Sequence, residues 1–204
     1  MKKKSLLERS AHYIAFDQKH ADAWPVVRTG KWLTQTIIIG SNYSDPNPKK
    51  FYGAYPRGYL DKMLAYFPDR TRHKERTLHL FSGALPKSED KDYLRVDVKQ
   101  EADVNCEADK TPFRDCQFDL ILADPPYRHQ DAEIYGTPYP NKRKVIRECH
   151  RIIEPGGYLI WLDIRCPIWR KDQWDHNGIV TVIRSTNNIV RCAFWFRKRY
   201  ADGS

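Results

Sequence analysis

The sequence of 204 residues has no apolar run near the roughly 20 residues that a membrane-spanning helix needs. Its start, Met1 to Arg9, is basic, but no apolar stretch follows, so we expect no secretion signal and no membrane partner. The five cysteines are scattered, without CxxC or Cys/His ligand spacing. We therefore expect no disulfide framework, no metal site and a reducing compartment, the cytoplasm.

Apolar residues are plentiful. Hydrophobic residues make up 41% of the chain and aromatic residues 13%, which is enough for a sizeable core and argues against intrinsic disorder. The charge is uneven, because residues 1–76 carry 15 Lys and Arg against 7 Asp and Glu, whereas residues 77–140 carry 7 against 13. Residues 141–204 are again basic, with 13 against 6. Basic flanks around an acidic middle suggest a polyanionic partner, although solvated surface charge gives the same count.

Residues 1–76 have no regular alternation of strands and helices. We predict a short helix over Ser5–Lys19, a β-branched strand over Lys31–Ile39, a loop over Asn42–Lys50 and a helix over Arg57–Phe67. We assign this segment as an N-terminal extension that leads into the core.

From residue 77 to residue 204, short apolar runs alternate with helical patterns. The predicted strands are Thr77–Phe81, Tyr93–Val98, Asp103–Cys106, Phe118–Ala123, Tyr158–Leu162, Val180–Arg184 and Ile189–Phe196. The predicted helices are Asn141–Ile153, stopped by Pro155-Gly156-Gly157, and Pro167–Trp174. This alternation indicates an α/β fold with its binding crevice at the carboxyl ends of the strands.

The most distinctive motif is Asp124-Pro125-Pro126-Tyr127, directly after a predicted strand. Two consecutive prolines remove two backbone donors and fix the chain in a stiff, extended turn. The turn presents a carboxylate, free carbonyl groups and an aromatic ring, a combination that suits a planar group with an exocyclic amine. A Pro-Pro turn that only caps the strand is the structural alternative.

The motif resembles the (Asp/Asn/Ser)-Pro-Pro-(Tyr/Phe/Trp) signature of the nucleic-acid amino-methyltransferases, which methylate adenine N6 or cytosine N4 from S-adenosylmethionine. The similarity, with small phage or bacterial DNA adenine methyltransferases in particular, covers roughly residues 51–199. It implies a Rossmann-like class I methyltransferase fold with a mainly parallel central sheet and an antiparallel closing strand. It also implies that the four motif residues, Asp124, Pro125, Pro126 and Tyr127, are catalytic.

The same resemblance implies a cofactor site upstream of the motif. The run from Phe81 resembles the start of a Phe-x-Gly-x-Gly loop, with Leu85 at the second glycine position. Asp97 matches the acid that binds the ribose, and Glu107-Ala108 matches the pair that holds the adenine. The segment between Asp97 and Glu107 is too short for the usual second helix. The implied cofactor-binding residues are Phe81, Ser82, Gly83, Asp97, Glu107 and Ala108.

No long insertion is present to recognise the target, so we expect basic and aromatic residues to contact it. Arg128, His129 and Tyr135 follow the motif, in a loop placed to close over an extruded base. Lys49-Lys50-Phe51-Tyr52 and Lys142-Arg143-Lys144 are further candidates.

These features predict an enzyme that methylates adenine N6, in DNA rather than RNA. Two alternatives stay open. One is an adenine-N6 or guanine-N2 methyltransferase of RNA. The other is an inactive relative that binds nucleic acid, which Leu85 and the short polar stretch after it favour.

Overall fold

The computed structural model describes residues 27–29, 32–39, 55–56, 58–66, 76–89, 93–184 and 189–200. The predicted helix Ser5–Lys19, the loop Asn42–Lys50 and the candidates from Lys49 to Tyr52 lie outside these residues. The division of the chain at residue 76 stays a prediction.

A single sheet of nine strands organises the described residues. The strands are β1 (Val27–Thr29), β2 (Trp32–Ile39), β3 (Thr77–Leu80), β4 (Leu94–Asp97), β5 (Val104–Asn105), β6 (Phe118–Ala123), β7 (Ile153–Asp163), β8 (Trp174–Arg184) and β9 (Val190–Lys198). They are hydrogen-bonded in the order β1-β2-β8-β9-β7-β6-β3-β4-β5.

The directions of the strands identify the fold. Strands β5, β4, β3, β6 and β7 run parallel, and β9 is antiparallel to both of its neighbours, β7 and β8. This order, with an antiparallel strand inserted beside the last parallel one, is the Rossmann-like class I methyltransferase fold. Strand β2 extends the sheet beside β8, so part of the N-terminal segment belongs to the same sheet.

Apolar side chains cover both faces of the sheet. The described residues contain three helices, α1 (Tyr59–Leu64), α2 (His129–Tyr135) and α3 (Lys142–Ile152). Helix α1 packs on one face through Tyr59 and Met63, and α3 packs on the other through Val145, Cys149 and Ile152. None of the three is long and apolar enough to cross a membrane.

Three predictions about local structure were wrong. The predicted helix Pro167–Trp174 is not formed, because Trp174 already pairs with Lys198 at the start of β8. The predicted loop after the motif contains α2, whose first turn is capped by a hydrogen bond from the Arg128 N–H to Asp131 Oδ2 at 2.9 Å. The predicted strand Tyr158–Leu162 begins earlier, at Ile153, because Pro155-Gly156-Gly157 forms an irregular part of β7, with Gly156 at φ 78°.

Between β4 and β5, the described residues contain no helix, as predicted for this trimmed version of the fold. Strands β4 and β5 pair directly instead, in parallel, with Val96 opposite Val104. The connection between them is only a bend, so it stays close to the carboxyl end of β4. That end is one wall of the site described next.

Candidate active site

A cleft of about 190 Å³ opens where β3, β4 and β6 end. Because these strands are parallel, their carboxyl ends meet at one edge of the sheet, where ligands of such folds bind. The cleft is lined by Phe81, Gly83, Asp97, Val98, Lys99, Gln100, Asp124, Pro126, Ile134, Tyr135 and Thr137. Parts of the predicted cofactor site and of the predicted catalytic motif thus share one cavity.

The loop after β3 is held in an uncommon backbone conformation. Phe81 has φ 58° and Gly83 has φ 52°, both in the left-handed region. A non-glycine residue there is uncommon and costs energy, so the surrounding structure must hold it. Ser82 supplies part of that hold, because its N–H donates to the Val96 carbonyl at 3.0 Å.

The Asp97 carboxylate forms hydrogen bonds with both the loop after β3 and the loop after β4. Its Oδ2 accepts a hydrogen bond from the Gly83 N–H at 2.9 Å, and its Oδ1 accepts from the N–H groups of Lys99 and Gln100, both at 2.8 Å. A carboxylate offers about four lone-pair sites, so three N–H donors leave one for a ligand.

The far wall of the cleft is helix α2. Lys99 Nζ donates to the Tyr135 carbonyl at 2.9 Å, which fixes the end of α2 against the loop after β4. Ile134 and Val98 line the cleft with 62% and 43% of their surface exposed. Two exposed apolar side chains on one cavity suit a flat apolar ring.

Glu107 and Ala108 do not line this cleft. Ala108 is buried in the core beneath it, and Glu107 is exposed. The segment that follows them is anchored on α3, because Glu148 Oε1 accepts from both the N–H and the hydroxyl of Thr111, at 2.9 and 2.6 Å. Their assignment to the adenine stays a prediction.

The Asp-Pro-Pro-Tyr turn folds its first and last side chains onto each other. The Tyr127 hydroxyl donates to Asp124 Oδ1 at 2.7 Å. Pro125 and Pro126 are buried, and neither has an N–H that would compete for the carboxylate. Asp124 lines the cleft, so its second oxygen has room for a ligand donor.

Burial raises the pKa of Asp124 to about 6, with the Asp163 carboxylate adding to the rise. The Tyr127 hydrogen bond and the charges of Arg191 and Lys142 oppose it. A carboxyl group with a pKa near neutrality in a cleft is typical of a functional site.

Three tyrosines surround this carboxylate. Burial, and then the charge of Asp124, raise the pKa of Tyr55, Tyr59 and Tyr127 well above its usual value. The rings of Tyr55 and Tyr59 stack with their centroids 5.6 Å apart. Asp124 therefore sits in an aromatic enclosure that opens toward the cleft.

Two cations lie beside the motif. Lys142 Nζ bonds to Asp163 Oδ2 at 2.7 Å and to the Tyr127 carbonyl at 3.3 Å, and Asp163 is only 1% exposed. Arg191 places its guanidinium carbon 5.2 Å from the centroid of the Tyr127 ring. The first cation fixes the backbone of the turn, and the second covers one face of the aromatic ring.

The residues predicted to contact the target are separated by the structure. Tyr135 lines the cleft, whereas Arg128 and His129 are exposed at the start of α2. His129 stacks on Tyr139 with ring centroids 3.9 Å apart, and the Tyr139 hydroxyl donates to the Tyr127 carbonyl at 3.2 Å. His129 is thus linked to the motif through an aromatic partner.

Several residues of the site were not predicted. Val98 and Ile134 gave no signal, because a single apolar residue beside polar ones does not mark a ligand site. Arg191 and Asp163 lie far from the motif in sequence, and only the pairing of β7 with β9 brings them together. Asp163 carried a signal, since it is a lone acid at the end of a buried strand.

Among the described residues, no group of His, Cys, Asp and Glu could hold a metal ion. Residues 84–161 match the family model described as a methyltransferase domain. Together with the strand order, this match supports a class I methyltransferase whose cofactor is S-adenosylmethionine. No curated protein matches the chain.

Solved structures give distant likenesses. TrmN from Thermus thermophilus shares 16% identity at a TM-score of 0.41, over 61% of this chain and 44% of its own. A protein described as a methylase, from Haemophilus influenzae, shares 12% identity at a TM-score of 0.39, over 69% of this chain and 86% of its own. An S-adenosylmethionine-dependent methyltransferase from Mesorhizobium loti shares 11% identity at a TM-score of 0.26, over 64% of this chain and 69% of its own. The chain spans less than half of TrmN, and all three TM-scores lie below 0.5.

Proposed function

We propose that this methyltransferase transfers a methyl group to an exocyclic amine of a nucleobase, and specifically to adenine N6 in DNA. The observation that carries the proposal is that Asp124 and Pro126 of the motif line the same cleft as Asp97. A hydrogen-bond acceptor for an amine therefore lies next to the acid assigned to the cofactor ribose.

The residues present fit S-adenosylmethionine. Asp97 has one acceptor site left for a ribose hydroxyl. Val98 and Ile134 offer apolar contact for the adenine ring, and Gly83 has no side chain to block a close approach. Glu107 is the predicted acceptor for the adenine amine. When bound, the cofactor supplies an electrophilic methyl group on a sulfonium sulfur.

Asp124 and the Pro125 carbonyl have the chemistry that a nucleobase amine needs. The lone pair of such an amine is delocalised into the ring, which makes it a poor nucleophile. Acceptors placed on its two hydrogens favour a pyramidal nitrogen and orient it for in-line attack. Tyr127 occupies Asp124 Oδ1, which leaves Oδ2 for the first hydrogen and the Pro125 carbonyl for the second.

The ring of Tyr127 is the platform on which we expect the extruded base to stack. A base inside a duplex cannot reach the cofactor, so it must leave the stack or come from a single strand. Arg191 covers one face of the ring, so the base uses the other face. Arg128, His129 and Tyr135 are proposed to hold the flanking nucleotide.

Exposed cations near the motif support a polyanionic substrate. Helix α3 begins beside Tyr127 and carries exposed basic side chains in its first half, and other exposed cations follow the motif and β7. The exposed cations are Arg128, Arg143, Lys144, Arg147 and Arg165. Affinity for DNA should fall steeply as salt rises, because bound phosphates release counterions.

The experiment that tests the proposal is methyl transfer from labelled cofactor onto unmethylated DNA and RNA, followed by nucleoside analysis. N6-methyl-2′-deoxyadenosine from DNA, with no label in RNA, supports the full proposal, and label in RNA alone shows an RNA enzyme. Asp124→Ala is the control for a contaminating activity. Cofactor binding without transfer to either nucleic acid would overturn the proposed function.

A further inference from the structure

Arg191 at the start of β9 is a charged residue beside the motif to which the proposed chemistry gives no direct role. Its guanidinium lies over the Tyr127 ring, and its Nε is buried without a hydrogen-bond partner among the described residues. A buried donor without an acceptor costs free energy, so its place calls for an explanation.

Ionisable groups surround Asp124 on several elements of the fold, and Asp97 and Lys99 line the same cleft from the end of β4. Tyr55 and Tyr59 face it from α1 and the residues before it, Asp163 from β7, Lys142 from α3 and Arg191 from β9. Tyr127 belongs to its own turn. Asp124 thus has one acidic and two basic neighbours in a largely buried setting.

Lys142 and Asp163 neutralise each other. Their side chains form a 2.7 Å ion pair in which Asp163 is almost fully buried. Within the described residues, Arg191 has no carboxylate partner at ion-pair distance, so its charge acts on Asp124 more strongly than that of the paired Lys142. Arg191 and Asp124 both contact Tyr127, and an opposite charge nearby favours the ionised form of a carboxyl group.

We propose that Arg191 is a positioning residue: held over Tyr127, it keeps the Asp124 carboxylate ionised and therefore able to accept the hydrogens of the target amine. The inference rests on the proposed function, in which Asp124 is that acceptor. Arg191 contacts the Tyr127 ring and acts on the reaction only through Asp124.

The test is single-turnover methyl transfer as a function of pH for Arg191→Met and Arg191→Lys, with Arg199→Met as the matched control. Arg199 is an exposed arginine of the same chain end that pairs with Asp175, away from the cleft. We expect Arg191→Met to move the acid limb of the rate upward by about one pH unit or more, with recovery at high pH. Arg191→Lys keeps the positive charge, so its pH profile should stay close to that of the parent. Arg199→Met should cause no shift.

Loss of rate by the same factor at every pH, or an unmoved acid limb, would overturn the inference. A second readout needs no substrate. The difference in unfolding free energy between the parent and Asp124→Asn, followed against pH, reports the ionisation of Asp124. If Arg191→Met shifts the pH dependence of this free-energy difference but the parent methylates no nucleic acid, the proposed function fails, whereas the effect of Arg191 on the ionisation of Asp124 stands. If the pH dependence does not move, the inference fails.

Discussion

The Tyr127 hydroxyl donates to Asp124 Oδ1 at 2.7 Å, across the two prolines of the turn. The bond does two things at once. It fixes the rotation of the carboxylate, and it stabilises the ionised form, so Tyr127 lowers the pKa that burial raises. The tyrosine therefore contributes through its hydroxyl as well as through its ring.

The two contributions of Tyr127 can be separated by substitution. Tyr127→Phe keeps the stacking face and loses the hydroxyl, so we expect a deficit in methyl transfer that grows as the pH falls. Tyr127→Ala also loses base stacking, worth roughly 1–3 kcal/mol, and should weaken retention of the target nucleotide at every pH. The measurements are single-turnover rates and DNA affinity; equal loss in both variants would show that the ring face does not matter.

Asp124→Ala should reduce the chemical step and leave cofactor affinity largely intact. Losing one well-placed acceptor in a site shielded from water typically costs about 10²–10³ in rate. Glu133→Ala, an exposed carboxylate on α2, is the matched control. If Asp124→Ala transfers methyl groups as fast as the parent, the turn is only a cap on β6.

The pKa of about 6 at Asp124 also predicts a dependence of stability on pH. Because the folded state raises this pKa above that of the unfolded chain, the ionised carboxylate destabilises the fold at pH 7, and the penalty disappears as the pH falls toward 4. We expect Asp124→Asn to be more stable at pH 7 by about 1–3 kcal/mol, with the advantage shrinking below pH 6. Denaturant unfolding at several pH values measures it; a constant difference would contradict it.

The positions of the core strands along the chain could be predicted, because each contains a short apolar run ended by polar or turn residues. The predicted bounds of β6, Phe118–Ala123, match the observed ones, and the motif begins at the next residue. The cleft could be anticipated for the same reason, since Asp97 and Asp124 each end or follow a parallel strand.

Contacts between distant segments of the chain could not be predicted from the local sequence. Helix α2 depends on a cap at Asp131 and on left-handed Gly136, which are weaker signals than an apolar stripe. Arg191 reaches Tyr127 only because β9 inserts next to β7. The aromatic residues near Trp174 resemble a helical pattern, but the long pairing of β8 with β9 decides their structure.

Lys198 on β9 holds the carboxyl end of α3, and its loss should reduce stability. Its Nζ is bonded to the carbonyl groups of His150 and Ile153 at 2.8 and 2.7 Å, and the residue is 8% exposed. Lys198→Met keeps the length of the side chain but leaves buried carbonyl groups unsatisfied, so we expect a loss of about 1–3 kcal/mol in unfolding free energy. Lys110→Met, at an exposed position, is the control; equal stability of the two variants would contradict the assignment.

The final prediction concerns Asp97, whose carboxylate is assigned to the cofactor ribose. Asp97→Ala should weaken binding of S-adenosylmethionine by about 1–3 kcal/mol, the cost of losing charged hydrogen bonds. Calorimetry measures the affinity, and Glu101→Ala, an exposed carboxylate in the same bend, should leave it unchanged.

Asp97 also accepts from Gly83, Lys99 and Gln100, so a loss of affinity could arise from a distorted loop alone. A cofactor analogue without ribose hydroxyls separates the two causes, by the logic of a double-mutant cycle. If Asp97 binds the hydroxyls, the analogue binds the parent and Asp97→Ala with similar affinity, because the contact is already missing. If the analogue loses as much affinity in the variant as the cofactor does, Asp97 only supports the loop, and the ribose assignment is wrong.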